Sequence, residues 1–183
     1  MALVISSVVK RFGDNTAVNN ISFEIEKPGV FGLLGTNGAG KTTTIRMILG
    51  ILAKDSGIIT WDGKPITRET VNFGYLPEER GIYPKAKVAE QLVYFAKLRG
   101  LDGKSAKNAA EHWFERLDVA KYANEVAEHL SKGNQQKIQL ISALIHDPDL
   151  IILDEPFSGL DPINTDLFKS VINELVEKGK FII

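Results

Sequence analysis

The sequence has 183 residues, of which 44% are hydrophobic and 25% are charged, and its formal net charge is −1. This length is enough for one compact domain with a sizeable core, and the near-zero charge gives no electrostatic reason to expect nucleic acid as a partner. The sequence has no cysteine, which excludes disulfides and thiolate metal sites, and no apolar run approaches the ~20 residues that cross a bilayer.

The N-terminal segment, about residues 2–27, predicts β structure rather than a signal peptide, because polar and apolar residues alternate along it. One strand is expected at residues 3–9 and another at residues 18–25. Residues 13–15 form a turn signal between them, and residues 27–29 break the chain before the next strand.

A glycine-rich loop then follows an apolar run at residues 30–34 and precedes a predicted helix. Its spacing, Gly-x-x-x-x-Gly-Lys-Thr, is that of a Walker A phosphate loop, in the required order of strand, loop and helix. The glycines let backbone N–H groups surround phosphate oxygens, and the helix places its positive end beneath the same anion. Lys41 would reach the β- and γ-phosphates of a nucleoside triphosphate, and the Thr42 hydroxyl would bind Mg²⁺. The predicted phosphate-binding residues are Gly35, Thr36, Asn37, Gly38, Ala39, Gly40, Lys41, Thr42 and Thr43.

Beyond this loop, strands are predicted at residues 58–64 and 71–76, and the pattern changes to helix from Pro77. Apolar residues at helical spacing predict two helices, separated at residues 100–103, whose aromatic side chains pack in a core. These apolar residues are Val88, Leu92, Phe95, Leu98, Ala106, Ala110, Trp113 and Leu117. His112, His129 and His146 lack the spacing of metal ligands and are expected to be surface or half-buried residues.

Residues 150–153 form a continuous apolar run, as expected for a strand buried on both faces, and two acidic residues follow it. This is the Walker B pattern. Asp154 would hold Mg²⁺ and its water shell close to Thr42, and Glu155 would orient and deprotonate an attacking water. We therefore predict Glu155 and Lys41 as catalytic residues.

The C-terminal part predicts one more helix and the start of another buried strand at residues 181–183. The apolar residues expected on one side of the helix are Ile163, Leu167, Val171, Leu175 and Val176. A sheet that stops within a strand indicates a domain truncated at its C-terminus.

The stretch that begins at Leu130, Leu-Ser-Lys-Gly-Asn-Gln-Gln-Lys, precedes an apolar helix and lies between the two motifs above. Ser131 is a good N-cap, and a helix that begins there directs N–H groups at an anion. In this position the stretch resembles the signature motif of ABC transporter ATP-binding subunits, commonly Leu-Ser-Gly-Gly-Gln. Leu130, Ser131 and Gly133 match it, whereas Lys132 and Asn134 depart from it. The resemblance covers nearly the whole chain.

This resemblance implies an α/β P-loop NTPase fold, an ABC-type ATPase core with a small antiparallel β subdomain and an inserted helical subdomain. We assign about residues 1–77 and 148–183 to the core with its β subdomain, and about residues 78–147 to the helical subdomain, within one domain. It also implies that two such domains, identical or different, enclose two ATP molecules head to tail. Ser131 and Gly133 of one chain would then complete the site held by Lys41 of the other. Lys132 either adds positive charge near that phosphate or lies outside the site.

Three weaker elements fit the same family. Asp161 follows the Walker B strand within a stretch that resembles the D-loop, which passes between the two sites. Phe12 stands where the family places an aromatic ring that stacks on adenine, although a lone Phe is otherwise explained by core or turn packing. Glu78 takes the place of the Q-loop glutamine, which contacts Mg²⁺ or water and lies near the membrane partner. A glutamate there can still bind Mg²⁺ or water but cannot donate an amide N–H, so Glu78 is predicted as a metal-site residue with Thr42 and Asp154.

Together these features predict the ATP-binding and ATP-hydrolysing subunit of an ABC transporter, with ATP and Mg²⁺ as cofactors. Lys132 and residues 75–80 most resemble bacterial exporters of the sodium-extrusion and drug-resistance type. Separate transmembrane subunits would be its partners, and the protein would be cytoplasmic, on the inner face of the cell membrane.

Two alternatives remain at this level. One is a soluble ABC ATPase that acts on ribosomes or DNA, although such proteins usually join two domains or carry long coiled-coil insertions. The other is a truncated chain that binds ATP without turnover, because the family's switch histidine, expected just after residues 181–183, is absent from the sequence.

Overall fold

A computed structural model of the chain describes residues 2–67, 69–78 and 81–183, which contain two four-stranded sheets and five α-helices. The strands are β1 (Leu3–Phe12), β2 (Asn15–Ile25), β3 (Gly29–Val30), β4 (Ser56–Trp61), β5 (Lys64–Pro65), β6 (Phe73–Leu76), β7 (Leu150–Leu153) and β8 (Phe181–Ile182). The helices are α1 (Lys41–Ile48), α2 (Val88–Leu98), α3 (Gly103–Arg116), α4 (Lys132–Leu144) and α5 (Pro162–Glu177). Short 3-10 turns lie at Ala120–Tyr122 and Ala127–His129.

The first sheet is antiparallel, with strand order β2-β1-β4-β5. In its register Leu3 pairs with Ile25 on one side and with Trp61 on the other. Both strands expected in the N-terminal segment are confirmed, and they extend to the turn signal because β1 and β2 stay paired as far as Phe12 and Asn15. One strand was predicted at residues 58–64. The structure instead has β4, which ends at Trp61, and a second, short strand, β5, which begins at Lys64.

The second sheet is parallel, with strand order β3-β8-β7-β6. All four residues of β7 are buried, as the continuous apolar run predicted. The strand before the phosphate loop is shorter than the predicted residues 30–34, because its ladder with β8 ends where Val30 pairs with Ile182. Leu34 lies beyond this pairing and is 92% exposed.

Alternate residues of β7 belong to two different cores. Leu150 and Ile152 pack with the antiparallel sheet and α1, whereas Ile151 and Leu153 pack with α2 to α5. The parallel sheet therefore lies between two layers, and the carboxyl ends of its strands open at one edge between them. This is the edge at which ligands bind in open α/β sheets.

The helical spacing predicted most of the buried residues correctly, with two exceptions. Leu98 is 64% exposed, because the buried face of α2 runs through Val88, Leu92 and Ala96 instead. Ile163 is 82% exposed, because it lies in the first turn of α5, ahead of the buried residues Phe168, Val171 and Leu175. In the described part of the chain, every helix is too short or too polar to span a bilayer.

Candidate functional site

The predicted phosphate loop lies between β3 and α1, and its geometry requires glycine. Gly38 and Gly40 have φ angles of 82° and 86°, in the left-handed region. A Cβ atom on Gly40 would collide with the backbone oxygen of Ala17 in β2, so any other residue would also push the loop away from the antiparallel sheet. Gly40 is the N-cap of α1, and its carbonyl accepts from the N–H of Thr44 at 2.8 Å. The positive end of α1 therefore faces the loop.

The Lys41 side chain folds over this loop. Its Nζ donates to the carbonyl oxygens of Gly35 at 2.8 Å and Thr36 at 3.2 Å. The Ala39 N–H also donates to the Thr36 carbonyl, at 3.1 Å. The ammonium group is thus held at the concave side of the loop by two neutral acceptors.

A cavity of about 360 Å³ brings the phosphate loop together with two acidic residues from distant parts of the chain. Glu78 reaches it from the segment after β6, and Glu155 from the segment after β7. Ala17 also lines it, and sequence reasoning missed this residue because a small side chain on a strand carries no chemical signal. The lining residues are Ala17, Asn37, Gly38, Gly40, Lys41, Thr42, Thr43, Glu78 and Glu155.

Asp154 lies at the carboxyl end of β7 and is only 4% exposed. Its Oδ2 atom is buried and has no hydrogen-bond partner among the described residues. Because an unpaired buried carboxylate oxygen is costly, such an atom indicates a ligand such as a cation. The carboxylate of Asp154 and the hydroxyl of Thr42 are oxygen ligands that suit Mg²⁺, so the residues present fit this ion.

Glu155 has a φ of 52°, which is unusual for a residue other than glycine. The N–H of Ser158 donates to the Glu155 carbonyl at 3.0 Å and closes a tight turn after β7. Five other non-glycine residues of the described chain share this conformation, so the φ angle alone does not mark a site. Here it accompanies a carboxylate that lines the phosphate-loop cavity.

Tyr75 in β6 is close enough to Asp154 to respond to its charge. Burial raises the pKa of the Tyr75 hydroxyl and the negative charge of Asp154 raises it further, whereas the positive charge of Arg46 in α1 opposes the shift. Tyr75 therefore remains a neutral hydroxyl at ordinary pH, next to the predicted metal ligand. The sequence analysis did not identify Tyr75 or Arg46 as residues near the site.

The signature-like stretch lies at the start of α4, and Ser131 is its N-cap, as predicted. The Ser131 hydroxyl accepts from the N–H of Asn134 at 3.4 Å. Ser131 and Gly133 do not line the phosphate-loop cavity of their own chain. Lys132 instead lines a separate cavity of about 230 Å³, together with Glu78, Asp154 and Glu155.

Asp161 is the N-cap of α5. Its carboxylate accepts from the backbone N–H of Asn164 at 2.8 Å and from the Asn164 side chain at 2.6 Å. The hydrogen bond from the Asn164 backbone lowers the pKa of Asp161 below its usual value. A Cβ atom on Gly133 would lie 3.2 Å from the Asn164 side-chain nitrogen, so the first turns of α4 and α5 are in close contact.

Phe12 lies at the end of β1 and is 50% exposed, so its ring is not part of the core. The ammonium group of Lys10 is 5.3 Å from the ring centroid. Asp55 fixes this strand end, because its carboxylate accepts from Lys10 Nζ at 3.0 Å and from the Arg11 N–H at 2.6 Å. Phe12 does not line the phosphate-loop cavity itself.

A second groove, of about 530 Å³, passes from the end of α1 across the segment after β6 to α2 and α4. The exposed side chain of Ile51 lies along it. Its lining residues are Leu49, Gly50, Ile51, Ile66, Thr67, Phe73, Tyr75, Pro77, Gly81, Arg99, Gln139 and Ser142.

Comparison with known proteins identifies the family. A sequence profile described as ABC transporter matches residues 18–158. The chain is 52% identical over 182 residues to the uncharacterized ABC transporter ATP-binding protein YhaQ of Bacillus subtilis, covering 99% of this chain and 61% of that protein. It is 36% identical over 186 residues to the Nod factor export ATP-binding protein I of Paraburkholderia xenovorans, covering 100% of this chain and 61% of that protein.

A solved structure, described as the ATP-binding subunit of an ABC transporter, superposes with a TM-score of 0.89 at 27% sequence identity. The superposition covers 100% of this chain and 78% of the solved one. The α/β P-loop fold with an antiparallel sheet, expected from the sequence, is therefore confirmed. The chain spans about three-fifths of the length of the two relatives above, 61% in each case. This chain belongs to the ABC transporter family.

Proposed function

We propose that this chain binds Mg-ATP and hydrolyses it to drive export through separate membrane subunits. The observation that carries the proposal is the cavity in which Lys41, Glu78 and Glu155 meet at the phosphate loop. A cationic loop opposite carboxylates is the arrangement that phosphoryl transfer to water requires.

In this proposal the phosphate oxygens of ATP replace the carbonyls of Gly35 and Thr36 as partners of Lys41 Nζ. Loop N–H groups and the first turn of α1 stabilise the remaining negative charge. Thr42 and Asp154 would hold Mg²⁺, which would supply positive charge against the phosphates when bound. Glu78 accepts a hydrogen bond from water near this centre.

Glu155 acts as the general base. Its left-handed backbone directs the carboxylate into the cavity, where it can accept the proton of a water molecule in line with the γ-phosphate. Phe12 stacks on the adenine ring, since its half-exposed aromatic face lies outside the core.

We further propose that two chains pair around two ATP molecules. Ser131 and Gly133 do not line the phosphate-loop cavity of their own chain, which is consistent with a role at the site of a partner. Asp161 would lie between the two sites.

Export, membrane partners and a place on the inner face of the cell membrane are inferred from the family. The groove beside Ile51 and Pro77 is the surface we assign to a membrane subunit. The comparisons do not favour the alternative of a soluble ATPase that acts on ribosomes or DNA.

Substitution Glu155→Gln tests the proposed reaction. The amide keeps the shape of the side chain but cannot accept the proton, so ATP binding is expected to persist while phosphate release falls by roughly 100- to 10,000-fold. Binding is measured by calorimetry and turnover by phosphate release from the intact protein. Undiminished phosphate release by the variant would exclude Glu155 as the base.

A further inference from the structure

The turn that presents Glu155 is not held by its own backbone alone. Within residues 155–160 the Ser158 N–H bonds the Glu155 carbonyl at 3.0 Å, and the Leu160 N–H bonds the Phe157 carbonyl at 3.3 Å. Pro156 has no N–H to contribute. The carbonyl groups of Pro156 and Ser158 take their hydrogen bonds from outside the turn.

The donor is one side chain, Gln136, in the first turns of α4. Its Nε2 donates to the Pro156 carbonyl at 3.0 Å and to the Ser158 carbonyl at 3.3 Å. A single amide nitrogen thus bridges two carbonyls on either side of Phe157. This nitrogen has two N–H groups, so both can be used at once.

The neighbouring residue, Gln135, makes the same kind of contacts with a different segment, the one that precedes α4. It is 7% exposed, and its Nε2 donates to the carbonyls of Ala127 at 2.9 Å and Leu130 at 3.0 Å. Two consecutive glutamines therefore hydrogen-bond two separate segments to the start of α4. One segment carries the signature-like residues, and the other carries Glu155.

We propose that Gln136 is a positioning residue for ATP hydrolysis, which holds the turn after β7 so that the Glu155 carboxylate stays in the phosphate-loop cavity. This inference rests on the proposed function of Glu155 as the base. It also assigns a physical connection between the two motifs within one chain. A shift of the start of α4 moves the carbonyls to which Gln136 is bonded, and with them the base.

Substitution Gln136→Met removes both hydrogen bonds and keeps a side chain of similar length. Because a small misplacement of a catalytic group is costly, we expect kcat for ATP to fall by roughly 10- to 100-fold. The Kd for ATP should stay within about twofold, since Gln136 lines the separate cavity beside Lys132 and not the phosphate-loop cavity itself.

Gln91→Met is the matched control. Gln91 also donates through Nε2 to two backbone carbonyls, those of Tyr83 at 3.4 Å and Ala86 at 3.2 Å, but in the segment before α2. The Gln91→Met variant should have a lower unfolding temperature than the wild type, but the kcat of its folded form should be unchanged. An equal loss of kcat in both variants would attribute the effect to stability and overturn the proposal.

A rescue variant separates positioning from packing. Gln136→Lys restores an N–H donor at similar reach, so its kcat should lie well above that of Gln136→Met. If both variants lose activity equally, or if Gln136→Met keeps wild-type kcat, Gln136 does not position the base.

Amide hydrogen exchange distinguishes a failure of this inference from a failure of the proposed function. A wild-type protein that binds ATP but releases no phosphate would overturn the proposed function. Even then, faster exchange at Ser158 and Leu160 in Gln136→Met than in Gln91→Met would support the positioning of the turn. Unchanged exchange at these two amides would overturn it.

Discussion

The two ends of the parallel sheet use their polar groups in opposite ways. At the carboxyl end the buried Oδ2 atom of Asp154 has no hydrogen-bond partner in the described chain, and Glu155 lines the phosphate-loop cavity. At the amino end Lys180 Nζ lies 2.8 Å from a carboxylate oxygen of Asp147 and 3.8 Å from one of Asp149.

Two further side chains at the amino end contact backbone carbonyls, although the buried Nδ1 atom of His146 has no partner in the described chain. The Asn72 side chain donates to the Asp147 carbonyl at 3.1 Å, and His146 Nε2 lies 3.0 Å from the Phe73 carbonyl. The acidic side chain of Glu155 at the carboxyl end therefore lines a cavity, whereas the Lys180 and Asn72 side chains at the amino end contact groups of the same chain. The difference predicts that substitutions at the carboxyl end alter ligand binding and those at the amino end alter stability.

The largest effect is expected from Lys41→Ala, at the carboxyl end. Two charge-assisted hydrogen bonds to phosphates are worth about 3 to 6 kcal/mol, which corresponds to an increase of roughly 100- to 10,000-fold in the Kd for ATP. Calorimetric titration measures the change, with Lys85→Ala as an exposed-lysine control. Unchanged affinity in Lys41→Ala would refute the assignment of the phosphate loop.

The second prediction concerns a dimer, in which a second copy of the chain completes the site at the carboxyl end of the sheet. Glu155→Gln with Mg-ATP should shift to a dimer in sedimentation velocity, because ATP stays bound between two chains. Adding Ser131→Trp places a large side chain at the proposed contact and should weaken pairing by about tenfold or more, as overpacking typically costs 1 to 3 kcal/mol. ATP affinity of the monomer should not change. A dimer of undiminished stability would place Ser131 outside the interface.

At the amino end, Lys180→Ala should lower the free energy of unfolding by about 2 kcal/mol. Most of this loss comes from the buried aliphatic stem, because Asp147 is 82% exposed and solvent weakens the ion pair. Urea denaturation measures the change, and Lys178→Ala, whose side chain is 52% exposed, should have a smaller effect. A change in ATP affinity in Lys180→Ala would contradict the division between the two ends.

Local patterns in the sequence predicted the carboxyl end better than the amino end. The phosphate loop, Asp154 and the cap at Ser131 follow from neighbouring residues, since glycine spacing, strand burial and capping are local properties. The meeting of Glu78 with this loop was expected only through the resemblance to the Q-loop, and the bridge from Gln136 was not expected, because both depend on tertiary contacts between distant segments. No spacing in the sequence encodes those contacts.

The positions of Leu34, Leu98 and Ile163 show the same limit for the core. Each is apolar and fits a buried pattern, yet each is exposed because its neighbours in space determine its burial. His146 is the opposite case. It was expected at the surface or half-buried, but it is 6% exposed beneath β6.

The smallest predicted effect comes from this buried histidine. Burial lowers the pKa of His146, and the nearby charges of Arg99 and Lys180 act in the same direction, while the Phe73 carbonyl and Asp147 oppose it. As the pH falls, His146 of the unfolded chain therefore takes up a proton at about pH 6.5, whereas His146 of the folded chain takes it up only at a lower pH. The stability from neutral His146 is fully present above about pH 6.5 and is lost as the pH falls through the folded-state pKa.

We expect the free energy of unfolding to fall between pH 7.5 and 5.5, by no more than about 1.36 kcal/mol per pH unit for one group. Urea denaturation across this range measures the slope, and His146→Gln should remove this part of it, because an amide does not titrate. Equal slopes in both proteins would show that other groups cause the acid sensitivity. The ATP affinity of the folded protein should not change with pH in the same way as its stability. His146 lies at the end of the sheet away from the phosphate loop.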